Sequence, residues 1–399
     1  MLPASYQNVL RQHLSESQYL TLQLLLLLIQ SQRQVKLSIL ASVFPQPIQY
    51  KSRIRNLQRF LVLPQWSIKL LWFPLIKYWL QQEEIGGQLN RKQRRQLQKL
   101  KHKKYDGWLI AIDRTQWKDR NLFMLSIVWG THALPLYWEL IEHPGSSNLS
   151  QQKSMLKAIL PLFKNKRFLV LGDREFHSPK LAKWLDRQGI CFVLRQKKSL
   201  YMQEQLGEEY QAVKNLGFKP GMSQFYERIF CNKTDQIGPF NLAIYWKRKY
   251  RGKGPKDPWY ILTNLPTLKQ TLDIYKCRWG IEQMFKDCKT SGYNLEDTKV
   301  NDTRFLALVL IIAITYSLTT MQGQWLQQVG VEHYICRLQD YQNRFPRHSD
   351  FGMGLYGYRW VCAMLQWSEW ALKLMALKPH KRLYFQRGFK ALSLIQQAF

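Results

Sequence analysis

Two segments of this chain share one pattern, a short apolar run that ends on an aspartate. They are Trp108-Leu-Ile-Ala-Ile-Asp113 and Phe168-Leu-Val-Leu-Gly-Asp173. An apolar run without alternation is the signature of a strand buried on both faces. Such strands need helices packed on each side of their sheet, so the pair constrains the fold class to α/β. A carboxylate at the carboxyl end of a buried strand emerges at the sheet edge, where crevices open to solvent. The surrounding residues extend the pattern. Leu122–Trp129 and Leu134–Glu139 read as two further strands, and a helix from about Ser178 to Arg187 leads to another strand at Cys191–Arg195. Hairpin-like strands followed by strand, helix and strand predict a mixed sheet flanked by helices.

A third carboxylate is isolated on a helix. Between Tyr275 and Lys289, the polar residues Tyr275, Arg278, Glu282, Lys286 and Lys289 are spaced i, i+3, i+7, i+11 and i+14. At about 100° per residue these positions fall within an arc of roughly 80°. The opposite arc carries Ile274, Cys277, Gly280, Ile281, Met284, Phe285 and Cys288, all apolar or small. The spacing predicts a helix with a buried back and one working face, a carboxylate ringed by a phenol, a guanidinium and two ammoniums.

Asp113, Asp173 and Glu282 together offer hard oxygen ligands, which suit divalent ions and chiefly magnesium. Two such ions about 3.5–4 Å apart serve phosphodiester transfer, activating a water or a 3′-hydroxyl and stabilising the leaving oxygen. Each carboxylate alone also reads as a turn, cap or ion-pair residue. Glu175 stands two residues past Asp173 and is an alternative to it; Asp119 and Asp287 lie near enough to compete as well. The conjunction of two matching strand ends with one isolated helical carboxylate favours the catalytic reading.

Charge supplies a substrate class. Lys and Arg number 59 against 27 Asp and Glu, a net charge of +32 over 399 residues. So large an excess on a chain that is 46 % hydrophobic points to a folded protein with a polyanionic partner, nucleic acid before membrane. The apolar stretches Leu24–Ile29 and Phe305–Leu318 fall short of the roughly 18–20 residues that span a bilayer, and read as core helices. The start, Met1-Leu-Pro-Ala-Ser-Tyr, lacks a signal-peptide layout, so a soluble, cytoplasmic protein is expected. The six cysteines show no CxxC pair and the eight histidines no HExxH spacing, which argues against a zinc site.

Organisation follows texture. Residues 1–85 read as a helical DNA-binding domain, with Lys51, Arg55 and Arg59 forming one basic stripe at i, i+4 and i+8. Residues 86–106 form a linker whose run Arg91–Lys104 holds eight basic and no acidic residues. Residues 107–322 make the catalytic domain, with an insertion of strands and basic loops at about 196–265. Residues 323–399 return to helices, a region suited to dimerisation; Arg304–Met321, Gly323–Leu338 and Trp360–Leu377 are expected as separate helices.

The segments Ile112-Asp-Arg-Thr-Gln-Trp117, Gly172-Asp-Arg-Glu-Phe176 and Tyr275-x-x-Arg278-x-x-x-Glu282-x-x-x-x-x-x-Lys289 resemble the three signature blocks of bacterial insertion-sequence DDE transposases. The group is the insertion-sequence-four family, with its Tyr-Arg-Glu-Lys signature, and the resemblance covers roughly residues 100–320. It implies an RNase H-like core, interrupted by a β-strand insertion before the third acidic residue. It also implies cut-and-paste transposition by a homodimer on double-stranded DNA, namely the transposon's terminal inverted repeats and a target. Each active site nicks, forms a hairpin, resolves it and joins the 3′ ends to target DNA. Asp113, Asp173 and Glu282 then hold two magnesium ions, for which manganese substitutes. Tyr275, Arg278 and Lys289 contact transposon-end phosphates, with Lys286 similarly placed. Trp259, or in the alternative Trp246, stacks on a flipped base. A domesticated, non-cleaving DNA-binding descendant and a nuclease of the same core fold are the other readings. The first is disfavoured because all three carboxylates are present.

Overall fold

The strands β1 (Trp108–Trp117), β2 (Arg120–Trp129) and β3 (His132–Ile141) form an antiparallel meander. The computed structural model that contains them describes residues 2–81, 105–117, 120–248, 254–289, 292–337, 339–340, 343–346 and 348–399. Most of the expected linker, including Arg91–Lys104, lies outside the described residues, as do Asp119 and residues 249–253 of the basic loop Lys247–Lys256.

The two strand-then-aspartate segments are neighbours in the sheet. β1 pairs in parallel with β4 (Phe168–Gly172), and β4 in parallel with β5 (Cys191–Arg195). β4 is buried along its whole length, as its continuous apolar run requires. Parallel neighbours need crossover connections, and helices supply them. The helix Leu149–Ile159 turns Met155, Leu156 and Ile159 inward, and Pro179–Arg187 turns Leu181, Ala182 and Leu185 inward. Asn148 starts the first of these by accepting from the Gln151 amide in a capping box. The order β3-β2-β1-β4-β5, antiparallel and then parallel, is the RNase H-like core.

The expected insertion continues this sheet. β10 (Trp259–Thr263) pairs antiparallel with β5, and beyond it come β9 (Ile237–Tyr245), β8 (Ser223–Cys231), β6 (Tyr201–Gln203) and β7 (Gln211–Ala212). Among the described residues ten strands thus form one sheet. An inserted segment that supplies its own strands satisfies the free edge of β5, which a core of five strands would leave exposed.

Two compact units divide the chain, one made of Met1–Tyr78 with Lys286–Phe399 and the other of Trp79–Phe285. The first and last parts of the chain, expected as separate helical regions, therefore share one unit. Its centre is the helix Asp302–Gln328, expected as two helices parted near Gly323. Gly323 lies inside this helix, at the point where the backbone of a second helix, Asp350–Gln366, passes against it. A Cβ at Gly323 would collide with the Asp350 carbonyl oxygen. The helix Asp302–Gln328 is long and apolar enough to cross a membrane, longer than the fourteen-residue run read from the sequence. However, 83 % of its most apolar window is buried inside the protein. Gln30 on Glu16–Gln32 donates to Thr319 at 2.7 Å, tying the N-terminal helices to this core.

Candidate active site

Register places three functional groups in one row. Ile112, Gly172 and Leu194 are paired across β1, β4 and β5. The next residue on each strand is Asp113, Asp173 and Arg195, so all three emerge at the same edge of the parallel strands. Asp113 Oδ1 accepts from its neighbour's backbone, Arg114 N–H, at 2.8 Å. Asp173 caps the 3₁₀ turn Arg174–Phe176, its Oδ1 accepting from Glu175 N–H at 2.8 Å.

The third carboxylate arrives from a helical run that is not uniform. An α-helix, Leu268–Tyr275, passes through a 3₁₀ turn at Lys276–Arg278 into a second α-helix, Trp279–Cys288. A 3₁₀ residue advances about 120° rather than 100°, so the single polar arc expected over Tyr275–Lys289 is broken at its start. Tyr275 is buried instead of sharing an open face with Glu282. Gly280 lets the second helix press against the start of β3, where a Cβ would come 2.6 Å from the His132 carbonyl oxygen.

Arg278 joins strand to helix. Its guanidinium donates from Nη1 to Asp113 Oδ2 at 3.2 Å and from Nη2 to Glu282 Oε1. Asp113 has only 15 % of its side chain exposed. Burial, then the Asp173 charge, push its carboxyl up to about 7, Arg278 pulling the other way and Glu282 adding to the rise. Burial works against the Arg278 charge, but Tyr275, Asp113 and Glu282 outweigh it and hold the guanidinium above its ordinary value. Burial raises the Tyr275 hydroxyl, against the pull of Arg278 and Arg195.

The sequence profile of the family described as "Transposase DDE domain" matches residues 104–318, more than half of the chain. The chain belongs to this family. It is a DDE transposase, a DNA-cleaving enzyme of transposition. Among solved structures, the chain is similar to the piggyBac transposase synaptic complex with hairpin DNA, determined by cryo-electron microscopy. The TM-score is 0.47 at 13 % identity, covering 99 % of this chain and 78 % of that one. A search of curated proteins found no match.

DDE transposase domains use divalent metal ions. Among the described residues, no three His, Cys, Asp or Glu side chains stand together closely enough to hold one as they are. Asp113 and Glu282 have Arg278 between them instead. The residues nevertheless fit a cation. The donors are all carboxylate oxygens, and Asp113 holds its proton up to about 7, first because it is buried and then because the Asp173 charge, with a smaller push from Glu282, outweighs Arg278.

The remaining predicted residues of this transposase are distributed as follows. Trp259, half-buried at the start of β10, packs edge-on against the Tyr275 ring at 5.0 Å between centroids and lies 5.8 Å from Tyr245. Trp246 instead donates its indole N–H to the Pro255 carbonyl at 3.1 Å. Of the two tryptophans, Trp259 is the one that contacts Tyr275. In the unit containing the chain's first and last residues, Lys286 is exposed and Lys289 pairs with Glu296 at 3.3 Å. In that same unit Lys51, Arg55 and Arg59 form an exposed stripe on the helix Tyr50–Phe60, whose Leu57 and Phe60 are buried.

Arg114 and Arg195 lie beside the aspartates without having been singled out by the sequence, whereas Glu175 was an alternative to Asp173. Glu175 looked like a competitor of Asp173, but it is engaged by Arg114 at 3.0 Å. Arg195 ends an apolar strand as the two aspartates do, a signal that was present in the sequence. Its charge is opposite to theirs, so it shares their position but not their chemistry.

Proposed function

We propose that Asp113, Asp173 and Glu282 are the catalytic carboxylates of this transposase, acting on the transposon ends of an insertion sequence of the insertion-sequence-four group. The observation that carries the reading is the Arg278 bridge from Asp113 to Glu282, beside an Asp173 in register with Asp113. The three carboxylates would hold two magnesium or manganese ions, which when bound activate a water or 3′-hydroxyl and stabilise the leaving oxygen. Arg278, which donates to Asp113 and Glu282 here, would be the group that donates to a transposon-end phosphate. Tyr275 and Arg195 flank that position, and Lys286 and Lys289, each in its own right, are proposed as further phosphate contacts. The Arg55 and Arg59 stripe binds duplex DNA through its backbone.

The expected test is direct. Asp113→Ala, Asp173→Ala and Glu282→Ala should each abolish magnesium-dependent cleavage of a duplex carrying the element's terminal repeat, while a gel shift shows binding retained. Cleavage surviving in one variant removes that residue from the set. Cleavage absent from the wild-type protein on the repeats flanking its gene would favour a non-cleaving descendant.

The finer chemistry is nick, hairpin, resolution and joining, with Trp259 stacking on the flipped base. Its support is the Trp259–Tyr275 contact. Normal hairpin formation by Trp259→Ala would remove that role. The enzyme works as a homodimer on DNA in the bacterial cytoplasm. Support for the dimer is the exposed apolar surface of the C-terminal helices, where Trp367, Trp370, Leu374 and Leu377 face solvent. Light scattering on the DNA complex checks it.

A further inference from the structure

The two aspartates are held by residues that hold each other. Arg114 and Glu175 each donate a backbone N–H to one aspartate, Arg114 to Asp113 and Glu175 to Asp173, both at 2.8 Å. Their side chains then meet, with Arg114 Nε donating to Glu175 Oε1 at 3.1 Å and Oε2 at 3.0 Å. The pair is largely removed from solvent, with 18 % and 13 % of the side chains exposed. It is also anchored at both ends. Arg114 Nη1 donates to Asn121 Oδ1 at 2.8 Å, and the Asn121 amide donates to the His143 and Gly145 carbonyls at 3.0 Å. Ser147 gives Glu175 Oε1 both its backbone N–H and its hydroxyl at 3.0 Å, and Gln152 donates to Ser147 in turn.

A partly buried ion pair adds little net stability, because desolvation cancels most of its attraction. Its effect is geometric. Parallel pairing of β1 with β4 sets the backbone spacing of Asp113 and Asp173 but leaves their χ angles free. The two N–H donors fix one oxygen of each carboxylate, and the Arg114–Glu175 pair fixes the donors to one another. Glu175, which in sequence competes with Asp173 for the catalytic role, cannot turn toward the site without abandoning Arg114 and Ser147.

We propose that Arg114 and Glu175 form a positioning clamp that presets the Asp113 and Asp173 carboxylates for divalent cations. The clamp rests on the proposed assignment of those two aspartates as ligands. Partners of this kind typically contribute about 10–100-fold in metal affinity or activity.

Manganese titration of the DNA-free protein, followed by electron spin resonance, measures the effect without catalysis. Glu175→Gln keeps the shape and the Ser147 contacts but loses the charge. Arg114→Lys keeps the charge but loses the fork to Glu175 and Asn121. Each should weaken manganese binding by about 10–100-fold, with end binding unchanged by gel shift and cleavage restored at high metal concentration. The double variant Arg114→Gln/Glu175→Gln should lose no more than the worse single variant. Wild-type manganese affinity in Glu175→Gln overturns the clamp. So does a cleavage defect that saturating metal leaves uncorrected and that follows the melting temperature. Asp113→Ala and Asp173→Ala controls separate the two layers. If these also bind manganese normally, the ligand assignment itself is wrong; if they lose it while Glu175→Gln does not, only the clamp fails.

Discussion

Arg278 and Asp113 meet at 3.2 Å, and the same guanidinium also holds Glu282, so one cation links a strand carboxylate to a helix carboxylate. A cation at that position neutralises charges that burial would otherwise make costly. Arg278→Gln removes it and leaves two partly buried carboxylates facing Asp173. The expected cost without metal is about 1–3 kcal/mol, below the range for a fully buried pair because Glu282 keeps 38 % of its side chain exposed. Magnesium should close most of that gap by supplying the missing charge. Melting temperatures of wild type and variant, with and without magnesium, check this. A deficit unchanged by magnesium would mean that the carboxylates do not gather a cation.

The Asp113 carboxyl, pushed up to about 7 from an ordinary 3.8 by burial and then by Asp173, ties stability to pH. Between those values the folded protein binds the proton more tightly than the unfolded chain does. Stability therefore falls as pH rises through that window and stays lower above it. Asp113→Asn removes the charge but keeps the shape. At pH 4, where the wild-type carboxyl is largely protonated, the two proteins should melt together. At pH 8 the variant should be the more stable, by at most about 4 kcal/mol at roughly 1.4 kcal/mol per pH unit. Equal melting at both pH values would contradict the environment described for Asp113.

The Arg55 and Arg59 stripe makes a prediction about salt. Both side chains are exposed, on a helix whose opposite side is anchored by Leu57 and Phe60. Each phosphate contact steepens the dependence of log affinity on log salt by about 0.9. Arg55→Ala/Arg59→Ala should therefore make the slope shallower by about 2, with no change in melting temperature. An unchanged slope would remove the stripe from the DNA interface.

The parts of this fold that were legible in sequence are those set by local burial. β1 and β4 announced themselves because both faces of each are covered, and their aspartates followed from strand polarity. The stripe on Tyr50–Phe60 was legible because 3.6-residue periodicity survives in an undistorted helix. What sequence concealed depends on neighbours distant along the chain. Arg195 joins the aspartate row only through the Gly172–Leu194 register. The strands after β5 could have formed a separate layer, and only the β5–β10 pairing decides that they extend the sheet. The buried Tyr275 reflects a 3₁₀ turn at Lys276–Arg278, which the even spacing of the signature does not reveal. Gly323 reads as a helix breaker by propensity, yet it is there because another helix backbone passes against it.

Gly280 tests whether the height of the Glu282 helix above the sheet matters to the chemistry. The helix Trp279–Cys288 rests on the start of β3 at this residue, and an added methyl would come 2.6 Å from the His132 carbonyl oxygen and 2.7 Å from its carbon. These are backbone atoms at a turn between paired strands, so no side chain can swing aside to make room. The helix must therefore lift, and Glu282, two residues along, must lift with it. Gly280→Ala would be favourable by helix propensity alone, by about 1 kcal/mol. Overpacking is expected to reverse that sign, for a net loss of about 1–2 kcal/mol. The displacement of Glu282 from Arg278 and Asp113 should lower cleavage by more than the stability loss accounts for, with end binding retained. Cleavage assays well below the melting temperature, set beside gel shifts, separate the two effects. A variant more stable than wild type and fully active would mean that the helix does not bear on β3 through Gly280.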